Sequence, residues 1–381
     1  MKSTRSHSLE KITSASPLVG TPKHRKPDAR PVLVIHGGAG TMSREGSTPE
    51  QRQLYIEALR KSLVTGYEVL KNGGEAMDAA VAAVGVMEDC PLFNCAKGAV
   101  FNTAGKNELE ASIMLSKPPA STPSDFPKSR RGFGLTLLTT MRNPARTAQA
   151  LYLSPTRGPH TFLSGATAEE IAQSLGEERV DPSYFFTEAR WREHRRGLGL
   201  PEEPLPFPSD GRNDGEPATS LDQMPTGTVG AVALDSRGCI ATVTSTGGRT
   251  NKLVGRIGDT PHMGAGFWAE EWTVRSWWRK VLRKPVLRSV GISGTGDGDY
   301  FIRFNTAASI ASRMKFKHES VKKASDFTVK ELAANDGIGG VIALDNKGNF
   351  ALSLNSSGMY RGVIRDDGRP LTAIFDDDEL Q

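Results

Sequence analysis

The chain has few of the features that mark secreted, disulfide-bonded or membrane-spanning proteins. Its 381 residues include only three cysteines, Cys90, Cys95 and Cys239, which are too few for a disulfide framework. No apolar run approaches the roughly 20 residues of a membrane helix. Residues 1–30 lack the apolar segment of a secretory signal, and their acidic residues and prolines argue against a mitochondrial transit peptide. We therefore expect a reducing, cytoplasmic location and no membrane partner.

Several catalytic signatures are also missing. There is no G-x-S-x-G nucleophile elbow, no Walker A sequence and no complete G-x-G-x-x-G, which argues against a serine esterase and a nucleotide-binding enzyme. The nearest glycine motif, residues 294–299, ends in Asp. Cys90 and Cys95 have no matching His/Cys pair, so a zinc site is not expected. These absences point to chemistry that needs no cofactor.

Net charge gives no indication of a nucleic-acid partner for the body of the chain. The formal charge is +5, and residues 1–30 alone carry seven Lys or Arg against two acidic residues. The remainder is close to neutral. We interpret residues 1–30 as a disordered basic extension and residues 31–381 as the folded body of the chain.

Residues 271–288 form an unusual segment in which tryptophans alternate with six Lys or Arg. Such interleaving is used by nucleic-acid surfaces and interfacial helices. The simpler interpretation is a surface insertion whose tryptophans pack locally.

The hydrophobic pattern predicts antiparallel sheets with helices. Residues 31–35 read as a buried strand that leads into a glycine loop at 36–40 (HGGAG). Thr48, Pro49 and Gln51 form a capping signature before a helix that ends near Gly73, and residues 76–86 read as a second helix. Residues 227–241 and 339–351 share one design, A-L-D-x-(R/K)-G-x-(I/F)-A, which predicts two similar hairpins.

One peptide bond, Gly227–Thr228, has the setting that a self-cleaving enzyme requires. Residues 200–227 contain six prolines and read as a flexible linker, and a strand begins directly after it. A threonine hydroxyl is a weak nucleophile unless a base accepts its proton. If the chain breaks before Thr228, its own amine, with a pKa of about 7.7 to 8.0, supplies that base.

Three further residues add specificity to this pattern. Thr246 follows at a spacing that returns it beside Thr228, where its hydroxyl could hydrogen-bond the nucleophile. Arg256 offers a planar fork for a carboxylate, and Asp259 offers a partner for an ammonium group. Together, Arg256 and Asp259 would hold the two charged groups of a free amino acid; alone, they would read as a surface pair.

These residues resemble the plant-type (type 2) asparaginase and isoaspartyl peptidase family of N-terminal nucleophile hydrolases. The resemblance rests on residues 227–230, 244–248, 255–259 and 264–266, and residues 36–40, 93–94 and 356–362 agree. It covers nearly all of residues 31–365, and residues 267–270 (FWAE) look like a fungal-type branch.

The resemblance implies an α+β fold, a four-layer αββα sandwich. It also implies processing into residues 1–227 and 228–381, with residues 31–227 as the α subunit of the hydrolase domain and residues 228–381 as its β subunit, and a homodimer of such processed units. It implies that Thr228 is the nucleophile, that Thr246 supports it, and that Arg256 and Asp259 bind the substrate's carboxylate and ammonium. It also implies that Thr295 and Gly296 contact the side-chain amide and the oxyanion, with Asn94 nearby. A structural sodium loop would be formed by Met87, Glu88, Cys90, Phe93, Cys95 and Lys97.

The implied activity is hydrolysis of L-asparagine, of β-aspartyl dipeptides, or of both, with a small-molecule substrate and no nucleic-acid partner. Two related activities remain open, those of a threonine aspartase and of a glycosylasparaginase. A third alternative is a poorly active scaffold that binds partners through residues 271–288. Ala96, which stands where the family usually has Gly, departs from the pattern, as do residues 115–137 and the insertion itself.

Overall fold

The computed structural model describes residues 29–207, 227–274 and 286–381. The predicted basic extension at 1–30 therefore lies almost entirely outside the described residues. So do most of the predicted linker at 200–227 and the centre of the insertion at 271–288.

Twelve strands form two sheets in the described part of the chain. The larger sheet has the order β12-β11-β1-β5-β6-β2-β3-β4, and the smaller has the order β10-β9-β8-β7. All pairs are antiparallel except β3 with β4. The strands are β1 (Val32–Gly40), β2 (Leu109–Leu115), β3 (Gly132–Leu138), β4 (Phe162–Ser164), β5 (Val229–Leu234), β6 (Ile240–Thr246), β7 (Phe267–Val274), β8 (Val286–Gly296), β9 (Gly339–Asp345), β10 (Phe350–Leu354), β11 (Gly358–Ile364) and β12 (Leu371–Phe375).

Helices cover the outer face of each sheet. The described helices are α1 (Pro49–Lys71), α2 (Ala76–Glu88), α3 (Pro144–Leu153), α4 (Gly165–Ser174), α5 (Glu188–Gly197), α6 (Gly298–Phe304), α7 (Thr306–Phe316) and α8 (Val321–Ala333). The first three pack on the larger sheet, α7 and α8 pack on the smaller one, and the two sheets face each other. The predicted αββα sandwich is confirmed. Among these described helices, none is both long and apolar enough to cross a bilayer.

The apolar residues of β1 are continuous rather than alternating because both faces of the strand are buried. Leu33 and Ile35 belong to the core under the first helices, whereas Val32 and Val34 belong to the core between the sheets. Successive side chains point to opposite faces, so a strand buried on both faces is apolar at every position. The predicted glycine loop at 36–40 is wrong in one respect: the strand continues to Gly40 through a bulge, where the register shifts.

The two predicted hairpins have the same turn chemistry. The Oδ1 atom of Asp235 accepts hydrogen bonds from the backbone N–H groups of Arg237 and Cys239, each at 2.9 Å. In the second hairpin, Asp345 accepts from Lys347 and Asn349 at 2.8 and 3.0 Å. An aspartate that bonds its own backbone two residues on fixes a tight turn, so the repeated motif encodes a repeated turn.

The helix signals are also confirmed. Thr48 and Gln51 exchange side-chain and backbone hydrogen bonds in a capping box, with Pro49 in the first turn. The helix ends at Lys71, two residues before Gly73, which has a φ of +82°. The second helix, predicted over 76–86, extends to Glu88.

The described ends of the insertion continue a hairpin. Strands β7 and β8 stay paired out to Val274 and Val286, with Trp272 opposite Arg288. Trp268 and Trp272 pack against the core beneath α7 and α8. Local packing of Trp272 agrees with the simpler interpretation of this segment. Trp277 and Trp278 lie outside the described residues.

Candidate active site

A cleft opens where β5 begins, β6 ends and β8 ends. Its walls come from the β1 glycine segment, the residues after β6 and the start of α6. The lining residues are Ala39, Gly40, Thr41, Glu110, Gly227, Thr228, Thr246, Gly248, Arg249, Arg256, Gly258, Asp259, Gly296, Asp297, Gly298, Asp336 and Ile338. Sequence-predicted residues from five separate segments therefore meet in one place.

Strand alternation places Thr228 and Thr246 on the same face. Val229 pairs with Ser245, so the two threonines come next in register at the same end of the β5–β6 hairpin. Val229 packs on the helix side of the sheet, which turns Thr228 toward the second sheet. Both threonines are nearly buried, with exposures of 5% and 3%.

The hydroxyl of Thr228 lies 3.3 Å from the hydroxyl of Thr260. The hydroxyl of Thr246 accepts a hydrogen bond from the N–H of Gly248 at 2.9 Å. The sequence analysis expected Thr246 beside the nucleophile and did not single out Thr260. A signal was present, because Thr260 directly follows Asp259, which was already assigned to the site.

Gly227 lies in a space that admits no side chain. A Cβ built on it would lie 2.0 Å from the hydroxyl oxygen of Thr295 and 3.1 Å from the backbone nitrogen of Ala39. That nitrogen also donates to the same Thr295 oxygen at 3.0 Å. Close packing at this position therefore requires glycine.

Arg256 and Asp259 line the cleft together, beside Gly298. Arg256 donates from Nη2 to Asp299 at 3.0 Å, and Asp299 is 67% exposed. A pair this exposed is worth ~0–1 kcal/mol, so an incoming carboxylate can compete for the guanidinium. Asp259 is only 4% exposed, and its Oδ2 atom has no hydrogen-bond partner among the described residues.

Burial raises the pKa of two carboxyl groups in the cleft, those of Asp259 and Glu110. Desolvation, with a further contribution from Glu110, raises the pKa of Asp259 to about 7. Burial likewise raises the pKa of Glu110, against the influence of Lys252. An unpartnered buried carboxylate is costly, so this site is suited to a cationic ligand. Sequence reasoning missed Glu110, because an acidic residue in a strand pattern carried no motif.

Thr295 and Gly296 lie at the end of β8, where Thr295 contacts Gly227. Gly296 lines the cleft with a φ of +141°, and a Cβ there would lie 2.3 Å from the carbonyl oxygen of Ile338. Thr295 is fully buried, with its hydroxyl directed at Gly227 and Ala39. In the intact chain, Gly227 therefore covers the hydroxyl that the sequence assigned to the substrate amide.

Asn94 lies behind the cleft rather than in its wall. Its side chain donates to the carbonyl of Gly248 at 2.7 Å and accepts from the N–H of Val100 at 3.0 Å. Its backbone carbonyl accepts from Gly247 at 2.9 Å. Asn94 thus fixes the position of the segment that follows Thr246.

The sequence predicts an alkali cation at the loop formed by residues 87–97. The carbonyl oxygens of Met87, Glu88, Cys90 and Phe93 each accept a backbone N–H, and each keeps a second lone pair. Carbonyls of Pro91 and Phe93 crowd Gly98, where a Cβ would lie 2.4 and 2.8 Å away. Across the described residues, no cluster of three or more His, Cys, Asp or Glu side chains could hold a metal. Neutral oxygen donors of this kind fit a hard cation of low charge.

The Glu88 carboxylate points away from that turn and toward the catalytic hairpin. Its Oε1 atom accepts from the hydroxyl of Ser245 at 2.7 Å and from the N–H of Ala145 at 2.9 Å. Complete burial raises the pKa of Glu88 to about 8. Glu88 therefore ties α2 and α3 to β6, next to Thr246.

A buried polar network supports the opposite face. His36 Nε2 lies 2.7 Å from the hydroxyl of Ser293, which lies 3.0 Å from the hydroxyl of Thr244. Burial lowers the pKa of His36 to about 3, so the ring is neutral. The network joins β1, β6 and β8 one layer beneath Thr228.

Most of this chain matches a known family and its members. The sequence pattern of the family described as "Asparaginase" matches residues 29–374. Proteins named isoaspartyl peptidase from Salmonella typhimurium and Escherichia coli are each 37% identical, over 345 and 349 residues. These alignments cover 90% of this chain and 98% and 96% of the relatives. A Mus musculus protein named isoaspartyl peptidase/L-asparaginase is 31% identical over 351 residues, covering 91% of this chain and 92% of its own. The chain therefore belongs to the asparaginase family of its bacterial and mammalian relatives.

Proposed function

We propose that this protein is a self-activating threonine amidohydrolase that hydrolyses L-asparagine and β-aspartyl dipeptides. The observation that carries the proposal is the position of Thr228. Its buried hydroxyl stands at the start of β5, directly after Gly227, in a cleft that also holds Arg256 and Asp259, whose Oδ2 atom has no hydrogen-bond partner among the described residues. The names of the relatives, isoaspartyl peptidase and L-asparaginase, describe the same two substrates.

Activation is proposed to begin with attack of the Thr228 hydroxyl on the carbonyl carbon of Gly227. The C–N bond breaks as the ester forms, and the departing nitrogen becomes the free amine of Thr228. Water then hydrolyses the ester and leaves a carboxylate on Gly227. Removal of Gly227 from Thr295 exposes the hydroxyl that the intact chain covers.

In the processed enzyme, the Thr228 amine accepts the proton of its own hydroxyl as the oxygen attacks the substrate's side-chain carbonyl. A β-aspartyl ester forms, and ammonia or the amine of a dipeptide leaves with the proton. Water hydrolyses the ester and releases aspartate. Thr260, 3.3 Å from the nucleophile, and Thr246, fixed by Gly248, orient the attacking oxygen.

Substrate orientation follows from the charges of the cleft. Arg256 receives the α-carboxylate in competition with the exposed Asp299, and Asp259 receives the α-ammonium. Thr295 and Gly296 stabilise the oxyanion, where one such donor typically contributes about 2.7–4 kcal/mol. Asn94 holds the adjacent Gly248 in place. The Oδ2 atom of Asp259, which has no partner in the described part of the chain, favours a free amino acid over the blocked substrate residue of a threonine aspartase.

Several finer features belong to the proposal as well. We infer a fungal-type branch from residues 267–270, a sodium ion in the turn after α2, a homodimer of processed units, and a cytoplasmic location. The free thiols of Cys90, Cys95 and Cys239 suit a reducing compartment.

The test compares purified wild type with Thr228→Ala on a denaturing gel and by intact mass. Wild type should give two fragments with Thr228 as the new N-terminus, and the variant should give one intact chain. Ammonia release from L-asparagine should be found only for wild type. An intact wild-type chain with full activity, or a different N-terminus at full activity, would refute the proposal.

A further inference from the structure

Glu110 is a buried acid in the cleft to which no step above assigns a role. It lies on β2, paired in register with Thr246 on β6, and is 1% exposed. Its Oε1 atom accepts the N–H of Gly258 at 2.7 Å. Its Oε2 atom has no hydrogen-bond partner among the described residues. A strand residue held this way usually has both oxygens satisfied, so the second oxygen needs an explanation.

The bond to Gly258 brings Glu110 onto the wall that carries Asp259. A Cβ built on Gly258 would lie 2.8 Å from Arg256 Nη1 and 3.1 Å from Glu110 Oε2, and Asp259 is the next residue. Asp259 Oδ2 is likewise buried and unpartnered among the described residues. One wall of the cleft therefore presents two carboxylates, each with one oxygen unused.

Nearby cations do not satisfy these oxygens. Lys252 donates to the backbone carbonyl of Glu108 at 2.6 Å, and Arg256 donates to Asp299 at 3.0 Å. The Nδ1 atom of His262 lies 2.7 Å from the carbonyl oxygen of Gly258. Each cation lowers the carboxyl pKa of Glu110 through space, but burial outweighs them. Two buried negative charges without a direct partner among the described residues are costly, so we expect the two carboxyls to share a proton near neutral pH.

We propose that Glu110 is a second ligand for the substrate's α-ammonium group, acting together with Asp259. The inference rests on the proposed function and deepens it, because it assigns a residue that recognises the amine of the same substrates. An ammonium group has three donors, and two acidic oxygens on one wall suit it better than one. When the substrate binds, its positive charge replaces the proton that Glu110 and Asp259 share.

The exchange of a proton for the substrate's ammonium group determines whether substrate affinity rises or falls with pH. Cation binding favours the ionised carboxylates, so binding releases a proton wherever the two carboxyls still share one. Affinity should therefore rise with pH up to about pH 7, the pKa of Asp259. One proton released per substrate corresponds to about a tenfold fall in KM per pH unit over that range.

The experiment uses Glu110→Gln, which keeps an acceptor for Gly258 but removes the charge. Glu108→Gln is the matched control, because Glu108 is a neighbouring buried acid on the same segment, bonds Gly255 N–H at 3.1 Å, and does not line the cleft. KM and kcat for L-asparagine are measured from pH 5.5 to 8. Calorimetry with L-aspartate, in buffers of different ionisation enthalpy, counts the protons released.

We expect Glu110→Gln to raise KM at pH 7.5 about tenfold or more, to change kcat less than threefold, and to reduce proton release at pH 6.5. Glu108→Gln should match wild type in each measurement. If Glu110→Gln folds poorly, Glu110→Asp keeps the charge and should retain proton release while KM rises. Unchanged KM and proton release in Glu110→Gln would overturn the inference and leave the proposed function standing. Absence of turnover in processed wild type would overturn the proposed function itself.

Discussion

The packing around Gly227 makes Gly227→Ala a sharp test of self-cleavage. The added Cβ would lie 2.0 Å from the Thr295 hydroxyl oxygen, whereas ordinary contact begins near 3.4 Å. The backbone or Thr295 must therefore move by about 1.4 Å, the difference between these two distances. Thr295 cannot yield easily, because it is fully buried and bonded to Ala39.

A displacement of about 1 Å at a reacting centre can cost ~100-fold in rate. We therefore expect Gly227→Ala to slow cleavage at Thr228 by at least about 100-fold, measured as the intact fraction on denaturing gels over time after purification.

Gly85→Ala serves as the control, since a Cβ there meets nothing within 4 Å. This variant should be processed at the wild-type rate. Its free energy of unfolding should rise by up to ~1 kcal/mol, because alanine has a better helix propensity than glycine and Gly85 lies in α2. Melting temperatures check that the Gly227→Ala chain is folded. Processing of a folded Gly227→Ala chain at the wild-type rate would show that close packing at this bond does not govern cleavage.

Two further predictions concern buried carboxyls. Asp259→Ala should raise KM for free L-asparagine far more than for N-acetyl-L-asparagine, because only the free substrate has an ammonium group for Asp259; equal losses for both substrates would remove that role. Glu88 has a folded-state pKa of about 8 against an ordinary value of 4.5, so its contribution to stability is full below about pH 4.5 and is lost as pH rises through about 8. Glu88→Gln should therefore unfold at higher denaturant concentration than wild type at pH 9 and show less advantage at pH 5; a wild-type pH dependence in the variant would contradict this assignment.

The sequence was sufficient to predict local structure where residues close together in the chain interact with one another. The capping box of Thr48 and Gln51 and the aspartate turns at Asp235 and Asp345 need only a few adjacent residues. The strand at 31–35 was also predictable, because an unbroken apolar run indicates burial on both faces.

The glycines at 36–40 were harder to interpret. Their pattern indicates a loop, but pairing of β1 with β11 and β5 carries the strand on to Gly40 and absorbs the irregularity in a bulge. Long-range pairing overrode the local preference. In the same way, Gly227 looked like a residue chosen for backbone freedom, whereas contacts with Thr295 and Ala39, remote in the chain, exclude any side chain.

By itself, the sequence determined the two hairpins, the helix caps and the segments that supply Thr228, Thr246, Arg256 and Asp259, since each depends on residues close together in the chain. Only the tertiary structure decided which side chains share the cleft. Glu110 lines the cleft because β2 pairs with β6 and because Gly258 bonds to it, and Thr260 comes within 3.3 Å of the Thr228 hydroxyl from behind the lining residues. The charge state of a buried carboxylate depends on its burial and on neighbours that are distant in sequence. Neither can be predicted from the local sequence.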